Sequence, residues 1–432
     1  MVQIINRYEI RIGNIGNFLL DMLPEVFEEL DLRNAFGKKV DFLSRLSHSC
    51  DRLFIIGFGK ASYSMYAGIR PYLAVQPVVS DIIVPELMEL PAEFPELKIL
   101  RGTHPDTGHE SEESTRVLIE DLGTLRIGDL VLVLISGGGS ALFELPEDNF
   151  TIEEISEIAK CMMAAGADIF EMNAVRAVVS KVKGGKFARI LFPATVHSFI
   201  VSDVIGDDIG VIASGPLSPV SWESTFVKKT VRKFSDICGF DPTRLLPGSV
   251  TAIDKKFFSA VNNEIILRNS DFVDAFYKKL KGAGAEVVVM GNGVSGKVEE
   301  IASSLSEICR SLYSMKHRGF WFVFGGETTV VVRGQGSGGR NQELALRFAL
   351  KMGKEEKFTI MTIGTDGIDG KSPAMGAILD NNSISLEKID NAINALDSSD
   401  SYTFLNSNGS AIITGFTGTN VSDIIVGYYE RS

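Results

Sequence analysis

The sequence predicts an α/β fold, and three observations carry that prediction. Short apolar runs such as LFIIGF at 53–58 and LVLVLI at 130–135 read as strands buried on both faces. Each run is followed by a glycine-rich turn and then by a segment with helical apolar spacing, and the unit recurs along the chain. The 432 residues also exceed what one core ordinarily holds. Together these give two α/β domains, 1–240 and 241–432, with largely parallel sheets and Rossmann-like layering.

In order, 15–30 has helical spacing but contains Pro24, which predicts a kink or break. Strand 53–58 ends in GFGKAS, and helix 61–70 follows. Strands 81–84 and 97–100 precede an acidic-opening helix, 110–122. Strand 130–135 feeds SGGGSAL. Thr151 and Glu154 make a capping box for a helix running towards 166. Helix 173–182 leads into KVKGGKFA, and strand 195–201 ends in SDVIGDD. Between 222 and 261 the pattern weakens, and the domain boundary falls there. Then come a long helix, 263–281, and strand 286–290 with GNGVSGK. Helix 298–315 and strand 320–324 lead into GGETTVVVRGQGSGGRNQE, with a helix from 342. Strand 358–363 ends in GTDGIDG, and helix 386–396 and strand 411–414 close the pattern.

With 43 basic and 55 acidic residues the net charge is −12. That argues against a general nucleic-acid or membrane-surface binder. An anionic ligand must be met by local positive charge. No run approaches membrane-spanning length, and the four cysteines have no metal-ligand or CxxC spacing. They read as reduced thiols of a cytoplasmic protein.

In α/β sheets ligands bind beyond the carboxyl ends of the strands. Lys60 in GFGKAS stands at a strand-to-helix turn, where a cation is misplaced unless an anion compensates. Ser136, Gly137, Gly138, Gly139 and Ser140 form a turn whose glycines suit a phosphate or carboxylate nest. Arg176 and Lys183, seven residues apart, would share a helix face. Each lysine of this basic run is otherwise a solvated surface group. Asp203 at the end of its strand is a general base, a metal ligand or an ordinary loop acid. Asp366 and Asp369 in GTDGIDG suit Mg²⁺ held partly through water. GNGVSGKV nearly spells a Walker A loop, but Val298 replaces the magnesium-binding hydroxyl residue. Gly334, Gly336 and Gly339 match G-x-G-x-x-G, the basis of an alternative reading as an oxidoreductase acting on hydroxypyruvate or tartronate. A non-catalytic nucleotide-binding protein is a further alternative.

GFGKAS, SGGGSAL, NAVRAVVSKVKGGK, SDVIGDDIGVIASGP, GGETTVVV, GSGGRNQELAL, GTDGIDG and TGTNV occur in the order seen in the class II glycerate kinases, the MOFRL or TtuD-like family. The chain resembles that family over nearly its whole length. The resemblance implies an active site in a cleft between two α/β domains and phosphorylation of D-glycerate by ATP with Mg²⁺. In archaeal-type members the product is 2-phosphoglycerate. On this reading Lys60, Asp203 and Arg340 are expected to be catalytic, with Lys60 and Arg340 facing each other across the cleft because both follow glycine turns at helix starts. Ser136–Ser140 and Lys183 would bind nucleotide, and Arg176 and Asn341 substrate. Asp207, Glu327, Asp366 and Asp369 would lie on the metal side. A homodimer is compatible with this reading.

Overall fold

The computed structural model describes residues 2–219, 222–244, 253–353 and 356–431. The chain divides into two compact units, a middle unit of Leu32–Ile266 and a split unit of Met1–Asp31 with Leu267–Ser432. Sequence reading put the boundary at 240/241 and gave the first residues to the N-terminal domain. The structure moves the boundary to 266/267 and gives the first 31 residues to the C-terminal unit.

In the middle unit the strands are β1 (Arg52–Phe58), β2 (Val79–Pro85), β3 (Lys98–Gly102), β4 (Asp129–Ile135), β5 (Thr195–Val201) and β6 (Val261–Leu267). Their order is β3-β2-β1-β4-β5-β6. The β1–β2, β2–β3, β1–β4 and β4–β5 pairs are parallel, as the doubly apolar runs predict. Phe54, Ile56 and Phe58 alternate along β1 and share one core with Val131, Val133 and Ile135 of β4. Leu118, Phe143, Phe187 and Leu191 cover that face, with the rings of Phe58 and Phe143 stacked at 4.1 Å. β6 occupies residues expected to open a long helix; the helix begins only at Asn269. Part of the weakly patterned 222–261 stretch, 245–252, lies outside the described residues.

Three helices, Ile152–Ala164, Ile169–Val179 and Ser224–Cys238, build a second small core. The capping box of Thr151 and Glu154 is present. So is a second one from Asp168 and Glu171. Cys161 and Cys238 form a disulfide, which corrects the reading of all four cysteines as thiols. The two helices bring Cα atoms 77 residues apart in sequence to 5.8 Å, a tertiary contact that local spacing does not reveal. Cys50 and Cys309 are free. Among the described residues no helix is long and apolar enough to cross a membrane.

Asp81 on β2 is buried, with Lys98 opposite it on β3 and Asp121 close by. Burial first, and then the Asp121 carboxylate, push its carboxyl up to about 7. A carboxyl whose pKa rises on folding contributes stability at low pH that is lost as pH climbs through the folded value. The Tm of the wild type should therefore fall as pH rises from the carboxyl's ordinary value of 3.8 to about 7, by roughly a few degrees, and level off above that. Asp81→Asn should flatten that slope, as measured by calorimetry across the range. Parallel slopes in the two proteins would count against a protonated Asp81.

The split unit differs from expectation. Its strands are β7 (Val287–Val289), β8 (Val294–Lys297), β9 (Phe320–Thr329), β10 (Glu356–Gly364), β11 (Gly376–Asp380), β12 (Ala411–Ile412) and β13 (Asp423–Arg431). The order is β12-β11-β10-β13-β9-β7, with β8 also on β9. The β7–β9 and β8–β9 pairs are parallel, but β10–β11, β10–β13, β11–β12 and β13–β9 are antiparallel. This sheet is mixed where largely parallel sheets were expected, because β13 returns through its centre. The helix Asn14–Glu29 runs unbroken through Pro24. Burial of Leu19, Leu20, Leu23, Val26 and Phe27 offsets the backbone bond that proline forfeits. Phe27 meets Phe272, Phe18 meets Trp321, and the Gly13 N–H donates to Asp380.

Candidate functional site

In the middle unit the chain passes from β1 outward to β2 and β3, then returns to β4 on the other side of β1. The carboxyl ends of β1 and β4 are therefore the switch point, where the turns of a parallel sheet diverge and open a crevice. GFGKAS follows β1 and SGGGSAL follows β4. The two turns are fastened together. The Lys60 N–H donates to the Gly137 carbonyl at 2.9 Å, and the Ala61 N–H donates to Ser136 Oγ at 2.9 Å. Gly59 has φ +120°, and a Cβ there would lie 2.3 Å from Ser136 Oγ, so only glycine permits this contact. Gly138 has φ +84°, and a Cβ there would sit 3.0 Å from the His104 ring and 3.5 Å from Lys60 Cγ. Lys60, His104 and the Gly137–Gly139 backbone thus share one corner.

The glycine turn has a second neighbour in IASGP. A Cβ on Gly139 would come within 2.9 Å of Ala213 Cβ. Ser140 Oγ lies 3.0 Å from Ser214 Oγ, which donates to Asn173 Oδ1 at 2.9 Å. Asp203 stands two residues beyond β5, on the same carboxyl edge, with Asp207 further along its loop at φ 56°.

The basic run changes character. Its helix ends at Val179, so Arg176 and Lys183 do not share a helix face. Lys183 is fully buried and its ammonium lies 3.2 Å from the Gly139 carbonyl, beneath the glycine turn. Lys181 pairs with Asp148 at the surface, whereas Lys186 is largely buried and donates to Glu147 and to the Ser180 carbonyl. Burial pulls the Arg176 guanidinium down from its ordinary range, and Glu144 opposes that shift.

In the split unit GGETT is not a loop, since β9 continues through it and pairs Glu327 with Ser295 of β8. The helix Arg340–Lys351 opens on Arg340 itself. Arg340 donates from Nε to Asp423 at 2.6 Å and from Nη2 to its other oxygen at 3.0 Å, while Nη1 lies 3.1 Å from Glu327. Two parallel bonds of this kind fix the guanidinium plane. Burial would pull Arg340 down; Asp423 and then Glu327 outweigh it and hold the guanidinium above its ordinary range. Asp423, the first residue of β13, escaped sequence reading, although its place just after TGTNVS was a usable signal.

Three expected roles change here. Asp369 is buried, and its two oxygens accept from the backbone N–H groups of Asn341 and Gln342, so it caps the helix rather than offering a face to a metal. Asn341 is buried and donates to Asp423 at 2.9 Å, so it supports the anchor of Arg340. Glu327 is turned to Arg340. Asp366 accepts from the Ile368 N–H in its own turn. Among the described residues no three His, Cys, Asp or Glu side chains gather as a metal-holding group. That pattern fits Mg²⁺ carried mainly by phosphate oxygens and water, with one or two carboxylates, rather than an all-protein cage.

The G-x-G-x-x-G glycines have a packing cause. Cβ atoms at Gly334, Gly336 and Gly339 would lie 2.2 Å from the Ser398 carbonyl, 2.4 Å from Asp400 and 2.3 Å from Asp369. They let this loop press on neighbouring chain, and the dinucleotide reading loses its main support. GNGVSGK likewise resolves into β8, not a phosphate loop.

A parallel sheet with a lysine and a glycine nest at its switch point, and a second unit with an anchored arginine, define an anion-handling α/β enzyme. Residues 19–237 match the family described as "Domain of unknown function (DUF4147)", and residues 320–423 match the MOFRL family. A glycerate 2-kinase of Picrophilus torridus is 44% identical over 98% of this chain and 99% of that protein. A D-glycerate 2-kinase of Thermotoga maritima is 33% identical over 87% of this chain and 90% of its own length. The crystal structure of a Thermotoga maritima glycerate kinase is similar with a TM-score of 0.79 at 31% identity, covering 95% of this chain and 98% of that one. The chain belongs to the glycerate 2-kinase family.

Proposed function

We propose that this protein transfers the γ-phosphoryl group of ATP to the 2-hydroxyl of D-glycerate. The observation that carries the proposal is the switch-point corner, where Lys60 and the Ser136–Ser140 backbone are fastened together. Phosphoryl transfer needs positioning and charge neutralisation more than covalent help. The SGGGS backbone binds nucleotide phosphates. Lys60, beside that backbone, neutralises charge on the transferring group or grips the glycerate carboxylate, and Arg340 is the cation the second unit offers to an anionic substrate group. The 2-hydroxyl oxygen attacks phosphorus, its proton passes to Asp203, and the bond from phosphorus to the bridging oxygen breaks to release ADP. Mg²⁺, when bound with the nucleotide, supplies positive charge at the phosphate oxygens. Asp207 and Asp366 are the acids assigned to it or to its waters. The same reading puts the protein in the cytoplasm, where ATP is made available.

Phosphorus NMR of the product from D-glycerate, ATP and Mg²⁺ tests this. The expected spectrum is that of 2-phosphoglycerate with ADP. A 3-phosphoglycerate spectrum overturns the regiochemistry. No ATP turnover, with NAD(P)H consumed on hydroxypyruvate, overturns the reaction.

A further inference from the structure

Lys183 is a fully buried cation that the phosphoryl-transfer scheme does not use. Its Nζ donates to the Gly139 carbonyl at 3.2 Å and lies 3.5 Å from the Ala213 carbonyl, with the Phe143 ring 5.8 Å away. These carbonyls belong to two different turns, SGGGSAL and IASGP. Both turns hold conformations that need support. Gly138 is left-handed, and so are the non-glycine residues Ala213, at φ 51°, and Ser214, at φ 63°. Such strain persists only where surrounding contacts over-determine it.

Those contacts converge from the segment that carries Lys183. The Gly184 N–H donates to the Ser214 carbonyl at 3.0 Å and the Gly185 N–H to the Gly215 carbonyl at 2.7 Å. Ser140, Ser214 and Asn173 add a side-chain chain across the same junction. A trans peptide points its carbonyl and the following N–H in opposite directions. The Gly139 carbonyl also accepts from the Phe143 N–H at 3.1 Å within the short helix Gly139–Leu142, so Lys183 adds a second, charged donor to the same oxygen and reinforces the orientation of the peptide that carries the Ser140 N–H.

We propose that Lys183 is a positioning residue that sets the peptide orientation of the Gly138–Ser140 loop, and thereby its grip on nucleotide phosphate, without touching the nucleotide. The proposal rests on the kinase reading above. The loop's donors are aimed by the Phe143 backbone bond and by a buried charge beneath them rather than by the ligand, so the nest is preorganised before ATP arrives.

The charged groups facing Lys183 are Glu144 and Arg176. Burial lowers the ammonium to about 8, against the pull of Glu144. The grip on ATP should weaken as pH rises through that value.

The test is Lys183→Met in the full chain, which keeps an unbranched side chain of similar volume in the core. The expected result is a KM for ATP raised about tenfold or more, a KM for D-glycerate within about twofold of wild type, and a cooperative thermal transition. The wild-type rise of KM for ATP above pH 8 should vanish in the variant. An unchanged KM for ATP, or equal rises for both substrates, overturns the proposal. If Lys183→Met does not fold, Ser214→Ala removes the link from Ser140 to Asn173 and should give a smaller ATP-specific rise; no rise overturns the proposal. A wild type inactive on D-glycerate defeats the kinase reading instead, and an active wild type with an indifferent variant defeats this inference alone.

Discussion

Replacing Arg340 with alanine should lower kcat/KM for D-glycerate phosphorylation by about 10²–10³-fold, the range for losing one preorganised charge donor. The side chain is held from behind by Asp423 through two bonds at 2.6 and 3.0 Å, and Asn341 fixes that carboxylate in turn. Little reorganisation is then needed when charge develops on the transferring group. Alanine also leaves Asp423 buried without its cation, so a stability loss of about 3–5 kcal/mol is expected beside the kinetic one. Asp423→Asn separates the two effects. It keeps the Arg340 charge but removes the carboxylate that fixes its plane, and should lower kcat by a smaller factor than Arg340→Ala. The double variant should be no worse than Arg340→Ala alone, because both changes act on one device. A near-normal kcat/KM for folded Arg340→Ala would remove Arg340 from the chemistry.

Asp203→Asn should reduce kcat by about 10²–10⁴-fold while the KM for ATP stays within roughly threefold of wild type. Asp203 lies just past β5 on the carboxyl edge that also carries the Lys60 and Ser136 turns. The amide keeps the size of the side chain and loses its capacity to take the hydroxyl proton. If ATP binding falls as much as kcat, Asp203 serves the metal or the nucleotide instead.

The middle unit was largely legible because a parallel sheet buried on both faces writes its strands as continuous apolar runs. LFIIGF and LVLVLI became β1 and β4, and the turns after them became the corner that holds Lys60 and Ser136. The split unit was less legible because its pairing is set at long range. The sequence reading ended its strands at 411–414, yet β13 follows and lies between β10 and β9, and its first residue is the anchor of Arg340. Asp369 was legible as an acid in a glycine-bracketed turn. Its role was not, since the N–H groups it caps stand 27 and 28 residues earlier. Lys183 was misread for a related reason. A lysine in a basic run gives no sign of burial, and the carbonyl that receives it is 44 residues away. The pairing of Cys161 with Cys238 is equally non-local.

The membership of the first 31 residues in the split unit has a consequence for biosynthesis. The helix Asn14–Glu29 leaves the ribosome early, but Phe272 and Trp321, which receive its apolar face, come much later in the chain. The middle unit of Leu32–Ile266 is completed in between. At about 5–20 residues per second the wait is on the order of 10–50 s. During it the nascent chain carries the apolar face of Leu19, Leu20, Leu23, Val26 and Phe27 uncovered by the segment Asn269–Gly282, so this helix can complete its packing only after the middle unit has been made.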